Sequence, residues 1–132
     1  MRFFGSTWPV LGEFELLVLL ALLRLGNGAF GAAIHREIVS RTDRELPASA
    51  VYVTLERLEA KRMVVSYIGN PTSQRGGRRR KHYLLDTAGQ RALVRACRTF
   101  AAMTAGIQPE IDALAAQMLG PSARPAPSRS RW

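Results

Sequence analysis

Residues 48–69, ASAVYVTLERLEAKRMVVSYIG, and residues 70–85, NPTSQRGGRRRKHYLL, change hydrophobic period between them and decide the fold. In the first half Val51, Leu55 and Leu58 stand at i, i+4 and i+7, one packing face of a helix. MVVSYIG then turns β-branched and aromatic, the composition of a strand. Asn70–Gly77 collects Asn, Pro, Thr, Ser and Gly, which is loop chemistry, and RRKHYLL makes a second strand. Two strands joined through a glycine-containing loop form a hairpin. The loop is longer than a tight turn needs, so its tip should project.

Upstream, GEFELLVLLALLRLGNG reads as a first helix from Gly12 to Leu25, interrupted only by Glu13, Glu15 and Arg24. A helix apolar nearly all round belongs at the centre of a core. Gly26-Asn27-Gly28 stops it. AFGAAIHREIVSRT predicts a second helix over 29–41, with Ile34 and Ile38 inward and His35, Arg36 and Arg41 outward. A short polar turn, 42–47, precedes the third helix. The order helix, helix, turn, helix, hairpin is a mainly α (α+β) fold: a winged helix-turn-helix with a two-stranded wing, over residues 11–86. In that arrangement the third helix enters the DNA major groove. Residues 1–10 form a short arm whose Phe3, Phe4 and Trp8 either dock on the core or make a partner surface.

Downstream, Thr87 and Gln90 fit a capping box with Thr87 as N-cap, so a helix should follow. Leu93, Cys97, Phe100, Thr104, Ile107, Ile111, Leu114 and Met118 recur every four and three residues, a heptad-like seam. It marks a C-terminal helix, 87–119, that buries its seam against a second copy or folds back on its own domain; dimerisation is the favoured reading, carried by Leu93, Cys97, Phe100, Ile107, Ile111 and Leu114. Gly106 and Pro109 predict a kink or break over 106–109. The basic tail, 120–132, is rich in Pro, Ser and Arg and reads as disordered.

The chain carries 19 Lys and Arg against 10 Asp and Glu, a net charge of +9. Between Glu59 and Asp86 it has no acidic residue but seven cations: Lys61, Arg62, Arg75, Arg78, Arg79, Arg80 and Lys81. Such a field attracts nucleic acid or an anionic membrane. A peripheral membrane helix lines its cations along one face, whereas these gather on a hairpin, so no membrane partner is expected. The longest apolar run, Leu16–Leu23, is far short of the ~20 residues a span requires. One cysteine, Cys97, permits no internal disulfide and suits the cytoplasm. His35 and His82 lie at no ligand-like spacing from Cys97, and neither a nucleophile elbow nor a phosphate-cradling loop is present. No enzyme, metal or cofactor is expected.

On the third helix the face opposite Val51–Leu55–Leu58 bears Ser49, Val53 and Arg57, with Tyr52 on its flank. Ser49 can donate to phosphate or a base edge, Val53 can touch a thymine methyl, and Arg57 can read guanine or hold a phosphate. Tyr52 binds phosphate through its hydroxyl or packs at the helix edge. Arg57 alternatively pairs within the helix with Glu56 or Glu59. Glu56 repels phosphate and should point away or discriminate among bases. On the wing, alternation puts Arg79 and Lys81 on one face and Arg78 and Arg80 on the other. Four neutralised phosphates per subunit would give log affinity a slope of about −3.6 against log salt. The competing reading makes the cluster a charged edge that resists strand association. The alternative function is a non-specific DNA- or RNA-binding protein using hairpin and tail; sheet stacking on RNA would draw on Tyr67 and Tyr83.

LGEFELLVLLALL (11–23), FGAAIHREI (30–38), SAVYVTLERLEAKRMV (49–64) and RGGRRRKHYLLDTAGQRAL (75–93) resemble the PadR family of winged-helix transcriptional regulators, over roughly residues 11–95. The resemblance implies a homodimer that binds an inverted-repeat operator and usually represses, with the C-terminal helix forming most of the interface. It puts DNA contacts at Ser49, Tyr52, Arg57, Arg79 and Lys81. It also implies, in some members, an aromatic effector between the last and first helices, for which Phe14, Phe100 and Met103 are the candidate residues. The chain departs from the family pattern at Phe30, where tyrosine is frequent, at Arg62, where glycine is frequent and a left-handed residue is implied, and at Pro47, where a serine cap is common.

Overall fold

The structure, a computed structural model, describes residues 11–26, 28–69 and 80–120. The aromatic arm, the wing tip with Arg78 and Arg79, and the arginine tail lie outside the described residues. The elements run α1 (Glu13–Leu25), β1 (Ala29–Phe30), α2 (Gly31–Thr42), α3 (Ala48–Ala60), β2 (Val64–Ile68), β3 (Lys81–Leu85), α4 (Thr87–Thr104) and α5 (Gln108–Leu119). They fall into two units, one through Cys97 and one from Arg98 onward.

In the first unit α1 is the central post. Gly12 caps it in extended conformation, and its amide donates to Glu15 Oε1 at 3.0 Å. Val18, Leu19 and Leu22 are fully buried, whereas Leu23 and Leu25 reach solvent, so the helix is not apolar-buried all round. The spacing read on the third helix holds: Val51, Leu55 and Leu58 on α3 are all fully enclosed, joined by Thr54. Each such side chain contributes about 1.5–3 kcal/mol of transfer free energy. Ile34 and Ile38 of α2 complete the helical core. His35, expected outward, is half-buried, and its Nε2 lies 2.9 Å from the Leu46 carbonyl, an acceptor across the turn.

Ala29 and Phe30 differ from the sequence expectation. They form a strand, not the first turn of the second helix, and pair antiparallel with β3: Ala29 with Tyr83, Phe30 with His82. Gly28, at φ 94°, turns the chain there, and its amide donates to the Tyr83 carbonyl at 2.9 Å. The sheet is therefore three-stranded, ordered β1-β3-β2. The hairpin itself is as expected, with Val64 opposite Leu85 and Ile68 opposite Lys81. The sequence puts Arg80 in the second strand, but β3 begins at Lys81. Its Tyr83, read as exposed, is buried in the core.

Three boundaries carry information. Arg62 sits at φ 63°, left-handed, as the departure at that position implied. Pro47 caps α3 without any side-chain hydrogen bond. The cap of α4 lies one residue earlier than Thr87: the Asp86 carbonyl accepts from Gln90 N–H at 2.9 Å and its Oδ1 from Thr87 N–H at 2.8 Å. The start of α4 closes the first unit. Gly89, Ala92 and Leu93 are buried, so Leu93 belongs to this core.

In the second unit the expected long helix is divided. α4 ends at Thr104, Gly106 takes φ 82°, and α5 begins at Gln108 with Pro109 in its first turn, where a missing amide hydrogen costs nothing. Gln108 Nε2 donates to Asp112 Oδ1 at 3.0 Å along the first turn. No residue of α5 is buried.

Candidate nucleic-acid interface

The outward face of α3 follows from its inward one. With Val51, Leu55 and Leu58 enclosed, Ser49, Val53, Glu56 and Arg57 are exposed. Tyr52 packs at the helix edge and keeps part of its surface open. It is 44% exposed, yet its ring lies against the start of α2: a Cβ on Gly31 would come within 2.3 Å of Tyr52 Cε1. Only glycine leaves room for the ring in that place. Arg57 has no ion pair among the described residues, and of its two expected partners Glu59 is engaged elsewhere. Lys61 Nζ reaches Glu15 Oε2 at 2.8 Å, and Glu59 faces the wing. Burial pushes the Glu15 carboxyl up, but the Lys61 hydrogen bond, the Gly12 amide and the Lys61 and Arg57 charges outweigh it and hold the group below its ordinary range.

Glu59 ties α3 to the hairpin. Its Oε2 accepts from Ser66 Oγ at 2.6 Å on β2, and its Oε1 lies 3.2 Å from Lys81 Nζ on β3. The Ser66 bond, then Lys81, lower the Glu59 carboxyl against a partial burial cost, and the same contact with Glu59 raises Lys81. Lys81, read as a phosphate contact, thus stands beside a carboxylate.

Arg80 has a different neighbour. Its guanidinium carbon lies 4.3 Å from the centroid of the Phe30 ring. Phe30 meets the edge of His82, with centroids 5.8 Å apart and planes at 85°. His82 in turn stacks on Tyr67, 5.1 Å away and tilted by 14°. His82 Nδ1 contacts the Gly28 carbonyl, which can only accept, so Nδ1 carries the proton. This aromatic row was not legible as a unit, because it depends on strand register. Phe30 and Tyr67 flank His82 from its two neighbouring strands.

The Transcriptional regulator PadR-like family matches residues 19–95, more than half of the chain. The chain belongs to the PadR-like family. This is a family of DNA-binding transcription regulators, not of enzymes. A PadR family transcription regulator from hypervirulent Clostridium difficile is 25% identical with a TM-score of 0.57, and the match covers 83% of this chain and 100% of that one. A PadR-like transcriptional regulator from Bacillus cereus is 13% identical with a TM-score of 0.61, covering 74% and 90%. F93 from STIV, a winged-helix DNA-binding protein, is 13% identical with a TM-score of 0.59, covering 74% and 98%. No curated protein matches the chain.

In this PadR-like regulator the residues read as a dimer seam divide between the units. Leu93 is in the core of the first, and Cys97 is exposed at its end. Phe100, Ile107, Leu114 and Met118 in the second are exposed, and Ile111 is half-buried. Among the candidate effector residues, Phe14 is half-buried and lines an open depression with Arg44, Glu45, Leu46 and Ala50. Phe100 and Met103 are exposed residues of α4. Among the described residues there is no cluster of metal-ligating groups, and no helix is long and apolar enough to cross a membrane.

Proposed function

We propose that this PadR-like regulator is a cytoplasmic homodimeric repressor. It binds an inverted-repeat operator with α3 in the major groove and the hairpin against the flanking backbone. The observation that carries this reading is the outward face of α3, where Ser49, Tyr52, Val53 and Arg57 are exposed together and Arg57 has no ion pair among the described residues. Dimerisation is supported by Phe100, Ile107 and Leu114, apolar side chains that leave a folded monomer with exposed hydrophobic surface. Two copies would set their reading helices about 34 Å apart, one turn of the duplex. Response to a planar aromatic effector through Phe14, Phe100 and Met103 completes the reading.

The experiment is binding to the inverted repeat nearest this gene, measured against a shuffled duplex of equal length with the mass of the free protein fixed by sedimentation. A dimer that prefers the repeat by about a thousandfold or more supports the proposal. Equal affinity for both duplexes and for RNA would instead establish the non-specific binder. Titration calorimetry with planar aromatic compounds tests the effector, and absence of heat removes it.

A further inference from the structure

Of the wing cations, Lys81 is beside Glu59, whereas Arg80 has no carboxylate partner among the described residues and lies over an aromatic ring. We propose that Phe30 is a positioning residue for DNA binding: its ring orients the Arg80 guanidinium so that the outward N–H edge meets a backbone phosphate. This rests on the DNA-binding reading of the wing and adds to it a residue that does not itself touch DNA.

The geometry follows from the sheet. Phe30 pairs with His82 across the β1–β3 ladder, and Arg80 precedes His82 by two residues, so it is the diagonal cross-strand neighbour of Phe30. The main chain of Arg80 is fixed as well, since its carbonyl accepts from Gly69 N–H at 2.8 Å. The ring beneath is fixed through His82, which is held by Tyr67 stacking and by the Gly28 carbonyl. There is little room for this row to shift: a Cβ on Gly69 would come within 2.7 Å of His82 Nε2.

A guanidinium that stacks through its π-face keeps its five N–H donors in the plane, pointing away from the ring. Those donors match two phosphate oxygens at once. A free, exposed arginine must give up rotamer freedom when it grips a phosphate; one already held on a ring gives up less. Phenylalanine has no hydroxyl to offer phosphate, so on this account position 30 acts on DNA through the arginine that rests upon it.

The test is a double-mutant cycle on the full chain, using a random-sequence duplex as probe and fluorescence anisotropy from about 50 to 200 mM salt. Wild-type binding comes first: no binding to any duplex would sink the DNA-binding reading, whatever Phe30 does. Arg80→Ala should weaken binding and flatten the salt slope by about 0.9 per subunit. Phe30→Leu should raise Kd about two- to fivefold, and Phe30→Tyr, which keeps the ring, should bind as wild type. The double variant Phe30→Leu/Arg80→Ala should bind as Arg80→Ala alone. A double variant weaker by the full Phe30→Leu factor, or a Phe30→Leu variant that binds as wild type, would overturn the proposal. If Phe30→Leu melts below the assay temperature, Arg80→Lys replaces it. That variant keeps the charge and slope but not the guanidinium plane, so Kd should rise as for Phe30→Leu, and unchanged Kd would refute the role of the ring.

Discussion

Gly89→Ala sets helix propensity against sterics and has a definite sign. Gly89 lies buried near the start of α4, and an added Cβ would come within 2.1 Å of the Met63 carbonyl oxygen and 3.0 Å of its carbon. Both are backbone atoms and cannot swing aside. The helix would have to retreat by roughly 1 Å to reach ordinary contact. The Met63 carbonyl also accepts from Asp86 N–H at 3.0 Å, so retreat stretches the bond that seats the α4 cap. It also lifts Ala92 and Leu93 from the core. Overpacking of this kind costs about 1–3 kcal/mol, and the strained hydrogen bond about 1 kcal/mol more. Alanine returns at most about 1 kcal/mol of helix propensity. The net is destabilisation by about 1–3 kcal/mol, or a fall in Tm of roughly 5–15 °C for a folding unit of this size. The assay is thermal melting by circular dichroism at fixed protein concentration. Ala88→Gly, at the exposed neighbouring position, measures the propensity contribution alone and should lower Tm by about 4–8 °C. A Gly89→Ala variant that melts higher than wild type would show that the Met63 carbonyl does not crowd this helix.

Three further perturbations have defined outcomes. Arg62→Gly relieves a left-handed backbone costing about 1 kcal/mol while loosening the unfolded chain by part of that, so Tm should rise by about 2–4 °C; an unchanged or lower Tm would count against strain there. Glu15→Gln removes a carboxylate whose folded pKa lies below its ordinary value, so its contribution is complete above about pH 4.3 and disappears as pH falls through the folded value. Urea unfolding should show a deficit of about 1–3 kcal/mol at neutral pH that closes in acid; a deficit independent of pH would refute the ion pair. Glu59→Gln leaves Lys81 without its carboxylate, so the salt slope of duplex binding should steepen by up to about 0.9 per subunit; an unchanged slope would show that Lys81 does not face DNA.

What could be read from the sequence was what depends on local period. Val51, Leu55 and Leu58 announced the inner face of α3, and thereby the outer face with Ser49, Val53 and Arg57. Gly106 and Pro109 marked the break before α5. Most of what the sequence does not reveal is pairing over long sequence distance. Two residues such as Ala29 and Phe30 carry no alternation to distinguish strand from helix, and only the open edge of β3, more than fifty residues on, draws them into the sheet. The Phe30–His82–Tyr67 row and the Glu59–Lys81 contact arise in the same way, from register. The α4 cap is ambiguous by one residue in the sequence because Asp86 and Thr87 are both good cap formers. Leu93 fitted the seam by spacing, but the helix delivers it to the core before the seam becomes exposed.

The Glu59 carboxylate, bonded to Ser66 and beside Lys81, links α3 to both hairpin strands, like the bridge between the jaws of a calliper. If α3 reads DNA as proposed, side chains at Ser49, Val53 and Arg57 can be exchanged to suit another operator while the distance between the two jaws stays the same. On that reading new sequence preferences would become reachable by single substitutions on one helix, with the proposed grip on the sugar-phosphate chain inherited intact.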